Sequence, residues 1–131
     1  MGIKYEQAPD IRKEAEEILR VLDWKHVQID SVAFLRSYGS TSRRTIARCH
    51  ALGKAMQIGM GRTTGFYLVE VIAERFDRMP TEEKTKTIIH ELMHIPSTFG
   101  GGFKHHHIVN ERSVEIAFRE YKKRKGETRW F

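Results

Sequence analysis

Between Pro80 and Pro96 the chain has little choice but to form a helix. Proline is accommodated where a helix begins, whereas Pro96 ends one by biasing its predecessor away from α geometry. Pro80-Thr81-Glu82-Glu83 therefore reads as a start. Thr81 is placed to cap free backbone N–H groups, and two carboxylates face the positive end of the helix dipole. The helix is expected to run to about Ile95. Along it Ile88, Leu92 and Ile95 recur at core spacing, roughly opposite His90 and His94. Such a helix needs a core on one side and leaves the two histidines facing away from it. The rest of the fold has to supply that core.

The remaining segments are short. Ile11, Ala15, Ile18, Leu19 and Leu22 recur at helical spacing behind the start signal Pro9-Asp10. Val27, Ile29, Val32, Phe34 and Leu35 are β-rich and run into the turn Tyr38-Gly39-Ser40-Thr41-Ser42. Thr45 to His50 follows, and the two stretches together predict an antiparallel hairpin with a long loop. Residues 51–62 carry Gly53, Gly59 and Gly61, which point to irregular structure around a short helix or strand. Phe66 to Ile72 is the clearest strand, and Ala73 to Arg78 a short helical turn. A glycine-rich loop, Ser97 to Lys104, leads to His105-His106-His107. From Asn110, a good N-cap, a last amphipathic helix carries Val114, Ile116, Ala117, Phe118 and Tyr121. This order predicts an α+β fold, a small sheet packed on helices.

Size and composition restrict the alternatives. The 131 residues suit one domain, residues 1–131, with a basic tail at about 122–131 and no linker or repeat dividing it. Apolar residues make up 40% and charged residues 31%, a globular balance that argues against disorder. No apolar run approaches the ~20 residues of a membrane-spanning helix. The polar stretch Met1 to Asp10 lacks the apolar core of a secretory signal, and a lone cysteine, Cys49, needs no oxidising compartment. A cytoplasmic protein is expected. The net charge of +6 favours acidic partners, so weak nucleic-acid contact through a basic surface is a secondary expectation.

His90-Glu91-Leu92-Met93-His94 fits H-E-x-x-H, and its helical setting gives the match meaning. Residues four apart lie one above the other, so both imidazoles point to one side and can chelate Zn²⁺. Glu91, about a quarter-turn round, is placed to act as general base on a water activated by that ion. Cys49 and His50 resemble a thiol–imidazole pair, but strand neighbours point to opposite faces. Tyr67, Tyr121, Arg62 and Arg75 are candidate oxyanion donors with no geometry to choose among them.

A catalytic zinc normally takes three protein ligands. The longer metzincin spacing is absent: Ser97 stands at its glycine position and Gly100 at its third histidine. His105, His106 and His107 lie beyond the glycine loop, and Glu111 or Glu115 of the last helix would instead give a His/His/Glu site. Imidazole is the stronger zinc ligand at neutral pH, which favours the histidine loop.

The run His90 to Pro96, followed by Phe99-Gly100-Gly101-Gly102-Phe103-Lys104 and a histidine, resembles the small metallopeptidase-like proteins of archaea and phages. More distantly it is similar to the SprT-like zinc proteases of the zincin superfamily. The resemblance extends upstream through Arg36-Ser37, Gly39-Ser40 and Ser42, though only the metal motif is specific. It implies a zincin-like fold: a small mixed or antiparallel sheet packed on an N-terminal helix, an active-site helix and a C-terminal helix. It also implies one Zn²⁺ held by His90, His94 and His106, with His105 the alternative third ligand. An edge strand, Phe66 to Ile72 or the segment before it, would take an extended peptide by strand addition. The leading expectation is thus a zinc metallopeptidase, a hydrolase of peptide or protein substrates with Glu91 as base. Its rival is a basic nucleic-acid-associated module with a structural zinc site, and a third reading is metal-dependent hydrolysis of a non-peptide substrate.

Overall fold

The computed structural model describes residues 2–102 and 108–128. Its chain order is β1 (Lys4–Gln7), α1 (Pro9–Leu22), β2 (Val32–Tyr38), β3 (Ala47–Ala51), α2 (Lys54–Gly59), β4 (Tyr67–Ile72), α3 (Ala73–Phe76), α4 (Thr81–Met93) and α5 (Glu111–Thr128). A short 3₁₀ turn, Ile29–Ser31, leads into β2. The four strands form a mixed sheet in the order β1-β2-β4-β3, with β2 and β4 parallel and the other two pairs antiparallel. Helices α1, α4 and α5 cover one face. The architecture is a zincin-like α+β fold.

The expected hairpin between β2 and β3 does not form, because β4 lies between them. Composition explains the insertion. Tyr67, Val69, Val71 and Ile72 are all buried, so β4 suits the interior of the sheet. β3 carries Arg48 and His50 and takes the edge, and the loop of residues 39–46 is long enough to step across a strand. The edge expected for Phe66 to Ile72 or the preceding segment thus falls to the preceding segment, β3. The opposite edge strand, β1, gave no signal in the sequence because all four of its residues are exposed.

The core lies between sheet and helices. Val32, Phe34, Val69 and Val71 meet Ile11, Ala15, Ile18, Leu19 and Leu22 of α1, Ile88, Ile89 and Leu92 of α4, and Val114, Phe118 and Tyr121 of α5. Ile116 sits two residues from both Val114 and Phe118, hence on the far side of α5, and is 60% exposed. The α5 start is as expected: Asn110 Oδ1 accepts the Ser113 N–H at 3.0 Å. At the start of α4 the cap is Pro80, whose carbonyl accepts the Lys84 N–H at 3.0 Å, and Thr81 makes no cap bond. At its end the last turn tightens ahead of Pro96. The His94 and Ile95 N–H groups reach back only three residues, to Glu91 and Leu92, at 3.2 and 3.1 Å. α5 runs on to Thr128, so most of the supposed tail is helix, and residues 129–131 lie outside the described residues.

Candidate metal centre

α4 is anchored by Ile88, Ile89, Leu92 and Ile95, each 0% exposed. That anchorage fixes the opposite side, where His90 is half-buried and Glu91 and His94 are buried. His90 Nε2 and His94 Nε2 stand 3.2 Å apart, with ring centroids 5.0 Å apart. Two nitrogens bound to one tetrahedral zinc at ~2.0–2.1 Å would lie about 3.3 Å apart, so the pair is spaced as a shared ion requires. The ligand atoms of His90, Glu91 and His94 all fall within 4.8 Å of one another, and the group could hold a metal ion.

Burial pushes the Glu91 carboxyl up to about 7. Desolvation disfavours its charged form, so near neutrality it is poised between accepting and giving up a proton. Cys49 faces the same side from β3. Its thiol is pushed up to about 12, first by burial and then by the Glu91 charge, which leaves it protonated and unreactive at neutral pH. His50, its neighbour, points to the other face of the sheet and bonds Glu70 at 2.8 Å. There burial raises the Glu70 carboxyl, but Ser37, His50 and Arg48 outweigh it and hold the pKa below the usual value. The thiol–imidazole pair does not form.

His90 and Glu91 open into a cavity of about 560 Å³ between β3, α4 and α5. Arg44 to Ala47 form one wall, Glu83, Lys86 and Thr87 the floor, and Glu111, Val114 and Glu115 the far side. In the sequence Glu83 is read only as part of the helix start, and Lys86 and Thr87 are not singled out. They precede His90 by seven, four and three residues, so helical spacing alone could have placed them on its face. Lys86 bonds Glu115 at 3.0 Å and approaches Glu83 at 3.6 Å, and Glu115 also takes Arg119 at 3.3 Å. Its hydrogen bond to Lys86, foremost, holds the Glu115 carboxyl below the usual range. Glu111 lines the cavity wall, and His105, His106 and His107 lie outside the described residues.

The four candidate oxyanion donors are otherwise occupied. Tyr67 bonds the backbone of Gly101 and Gly102, Tyr121 reaches Glu17, Arg62 holds Ser31 and the Gly65 carbonyl, and Arg75 the Thr45 carbonyl.

A His-Glu-His group that could hold a metal ion, on a helix packed against a four-stranded mixed sheet, defines the class: a zincin-like domain with one candidate metal site among the described residues. Residues 3–128 match the family described as "Putative phage metallopeptidase", and the chain belongs to that family. At family level it is a metallopeptidase, which implies a protein or peptide substrate. Comparison with curated proteins and with solved structures gave no match. Among the described residues no helix is long and apolar enough to cross a membrane.

Proposed function

We propose that the protein is a zinc-dependent peptidase in which His90 and His94 hold the metal and Glu91 is the general base. The observation that carries this reading is the 3.2 Å separation of two helix-borne imidazole nitrogens beside a carboxyl buried in an open cleft. The third ligand is His106, with His105 the alternative, because imidazole is a stronger zinc ligand at neutral pH than the Glu111 or Glu115 carboxylate.

A divalent ion held there would supply Lewis acidity, polarising water and the scissile carbonyl. Glu91 takes the proton released by the attacking water and passes it to the departing amine. Burial raises the Glu91 pKa in the metal-free chain, and a cation held beside it would favour the carboxylate form that accepts the water's proton. β3, at the sheet edge above the cleft, offers unpaired backbone groups to an extended peptide, and Arg44 to Ala47 continue that wall towards His90. The domain spans the whole of residues 1–131.

Replacing Glu91 by Gln separates this reading from a nucleic-acid module with a structural ion. The variant should bind zinc as the parent does while peptide turnover falls about 100-fold or more. Turnover of a peptide library and zinc content by atomic absorption are the two measurements. Undiminished turnover, or a His90→Ala protein that keeps its full zinc content, would refute the assignment.

A further inference from the structure

Helix α2 has its polarity reversed. The one residue it buries is Gln57, 2% exposed, whose Oε1 lies beside Gly101 and has no hydrogen-bond partner among the described residues. Its apolar residues face outward instead: Met56 is 62% exposed, Ile58 66%, and Met60, the helix cap, 61%. Folding alone favours the opposite arrangement, which withdraws apolar surface from water and leaves the amide in it. Single exposed apolar residues are ordinary, but three within five positions make a patch. The segment is also tied down at both ends. Before the helix the Leu52 N–H donates to the Phe66 carbonyl at 2.8 Å, and after it the Arg62 guanidinium holds Ser31 and the Gly65 carbonyl and lies over the Phe66 ring.

The position of the patch gives it a use. α2 leaves the C-terminal end of β3, the edge strand whose N-terminal end flanks the cleft. Ile46 and Leu52 bond Ile72 and Phe66 across the ladder, so antiparallel alternation turns the backbone groups of Arg48 and His50 towards β4 as well. Ala47, Cys49 and Ala51 turn theirs to the open side, where they have no partner among the described residues. Ala47 lines the cleft together with His90 and Glu91. From there the edge runs about 13 Å to Ala51, and α2 begins three residues on. A polypeptide paired with the edge therefore passes from the cleft to α2 in about four to six residues.

We propose that α2 is an exosite for polypeptide substrates, where Met56, Ile58 and Met60 receive an apolar side chain of a chain whose backbone is paired with β3. The proposal rests on the reading of the protein as a peptidase that binds its substrate along that edge. A row of free backbone groups ending at an apolar patch suits an extended chain, which offers amides and side chains together. A second copy fits worse, because three side chains on a six-residue helix fall short of the ~800 Å² that each partner of a stable dimer contributes. The flexible thioether of methionine accepts many apolar shapes, so the exosite reads hydrophobicity rather than one residue type. The favoured substrate is an unfolded segment with an apolar residue about four to six positions from the scissile bond. A folded protein would withhold both its strand edges and that side chain.

The test compares the zinc-loaded parent with a Met56→Gln/Ile58→Gln/Met60→Gln variant. Cleavage of a library of long unstructured peptides, mapped by mass spectrometry, supplies the substrates. Cut sites of the parent should be enriched in apolar residues about four to six positions away on one side. On such a peptide the variant's kcat/KM should fall about 10-fold, carried by KM. The gap between the two proteins should close when that residue is changed to Ser or the peptide is truncated before it. Equal kcat/KM on the long apolar peptide overturns the proposal. So does a loss equally large on the truncated one, which would mean that α2 only supports the fold. N-methylation of the peptide amides probes the underlying reading separately: if it slows cleavage while the variant matches the parent, the exosite fails and the edge stands. If methylation changes nothing, or if the parent is as inactive as Glu91→Gln, that reading fails and the exosite with it. A dimer that dissociates in the variant, seen by light scattering, would assign the patch to a second copy and also overturn the proposal. Should the triple variant not fold, Met56→Gln/Met60→Gln is read by the same outcomes.

Discussion

Glu91 shows how one residue can trade stability for chemistry. Its carboxyl is held in a place where charge is costly, and the cost appears as a pKa of about 7 against an ordinary 4.5. For a group raised in this way, the folded state binds the proton more tightly than the unfolded state does. The stability this contributes is full below pH 4.5, declines as pH climbs towards 7, and is absent above. The difference is on the order of 2–3 kcal/mol. Metal-free parent should therefore lose stability between pH 4.5 and 7.5, and a Glu91→Gln variant, neutral throughout, should lose less by that amount. Urea titrations of both proteins at the two pH values measure it, and parallel losses would show that the carboxyl is not desolvated. At this scale the sequence was legible only where spacing is local. His90 and His94 are one turn apart, so their meeting follows from helical geometry. Tyr67 meets Gly101 and Gly102 from 34 and 35 residues away and through their backbone, which leaves no side-chain pattern to read.

Between elements the strongest polar junction is Arg36 of β2. Its guanidinium takes the Asp10 carboxylate through two nitrogens, at 2.5 and 2.8 Å, and Asp77 at 3.0 Å, tying the start of α1 and the end of α3 to the sheet. The side chain is only 17% exposed, so solvent screens this fork less than an ordinary surface pair. Lysine cannot reproduce the fork, and Arg36→Lys should cost about 1–2 kcal/mol in denaturant unfolding. The acid limb carries a second sign. The hydrogen bond from Arg36, foremost, lowers the Asp10 pKa below 3.8. Its contribution is therefore present above that value and is lost as pH falls through the lowered one, so the variant should be less acid-sensitive than the parent. An Arg36→Lys protein with parental stability and acid sensitivity would show the junction to be incidental. Helices were readable here because Ile11, Ala15, Ile18, Leu19 and Leu22 repeat along one stripe and all bury. Strand order was not. Adjacent strands in sequence usually pair, and only the two-sided burial of β4 shows why it displaces β3 from β2.

Over the whole molecule several basic groups of the C-terminal helix are paired internally. Lys122 pairs with Glu82 of α4, Lys125 with Glu17 of α1, and Arg124 donates to the Val21 carbonyl of α1 while pairing with Glu120 in its own helix, so the basic end of α5 holds that helix against its neighbours. These exposed pairs are individually weak, which makes a bound ion the larger lever on global stability. His90 lies on α4 and His94 caps it, and that helix touches the sheet, α1 and α5. An ion bound only by the folded chain stabilises it by RT ln(1 + [M]/Kd), about 2.7 kcal/mol at a hundredfold excess over Kd. For a domain of this size that corresponds to a rise of roughly 10 °C in melting temperature. Chelator-treated protein should melt lower by about that much, recover on zinc addition, and show no recovery in His90→Ala or His94→Ala. Differential scanning calorimetry across a zinc titration would reveal it. A melting temperature indifferent to chelator and zinc would mean that the two imidazoles, however well spaced, share no ion.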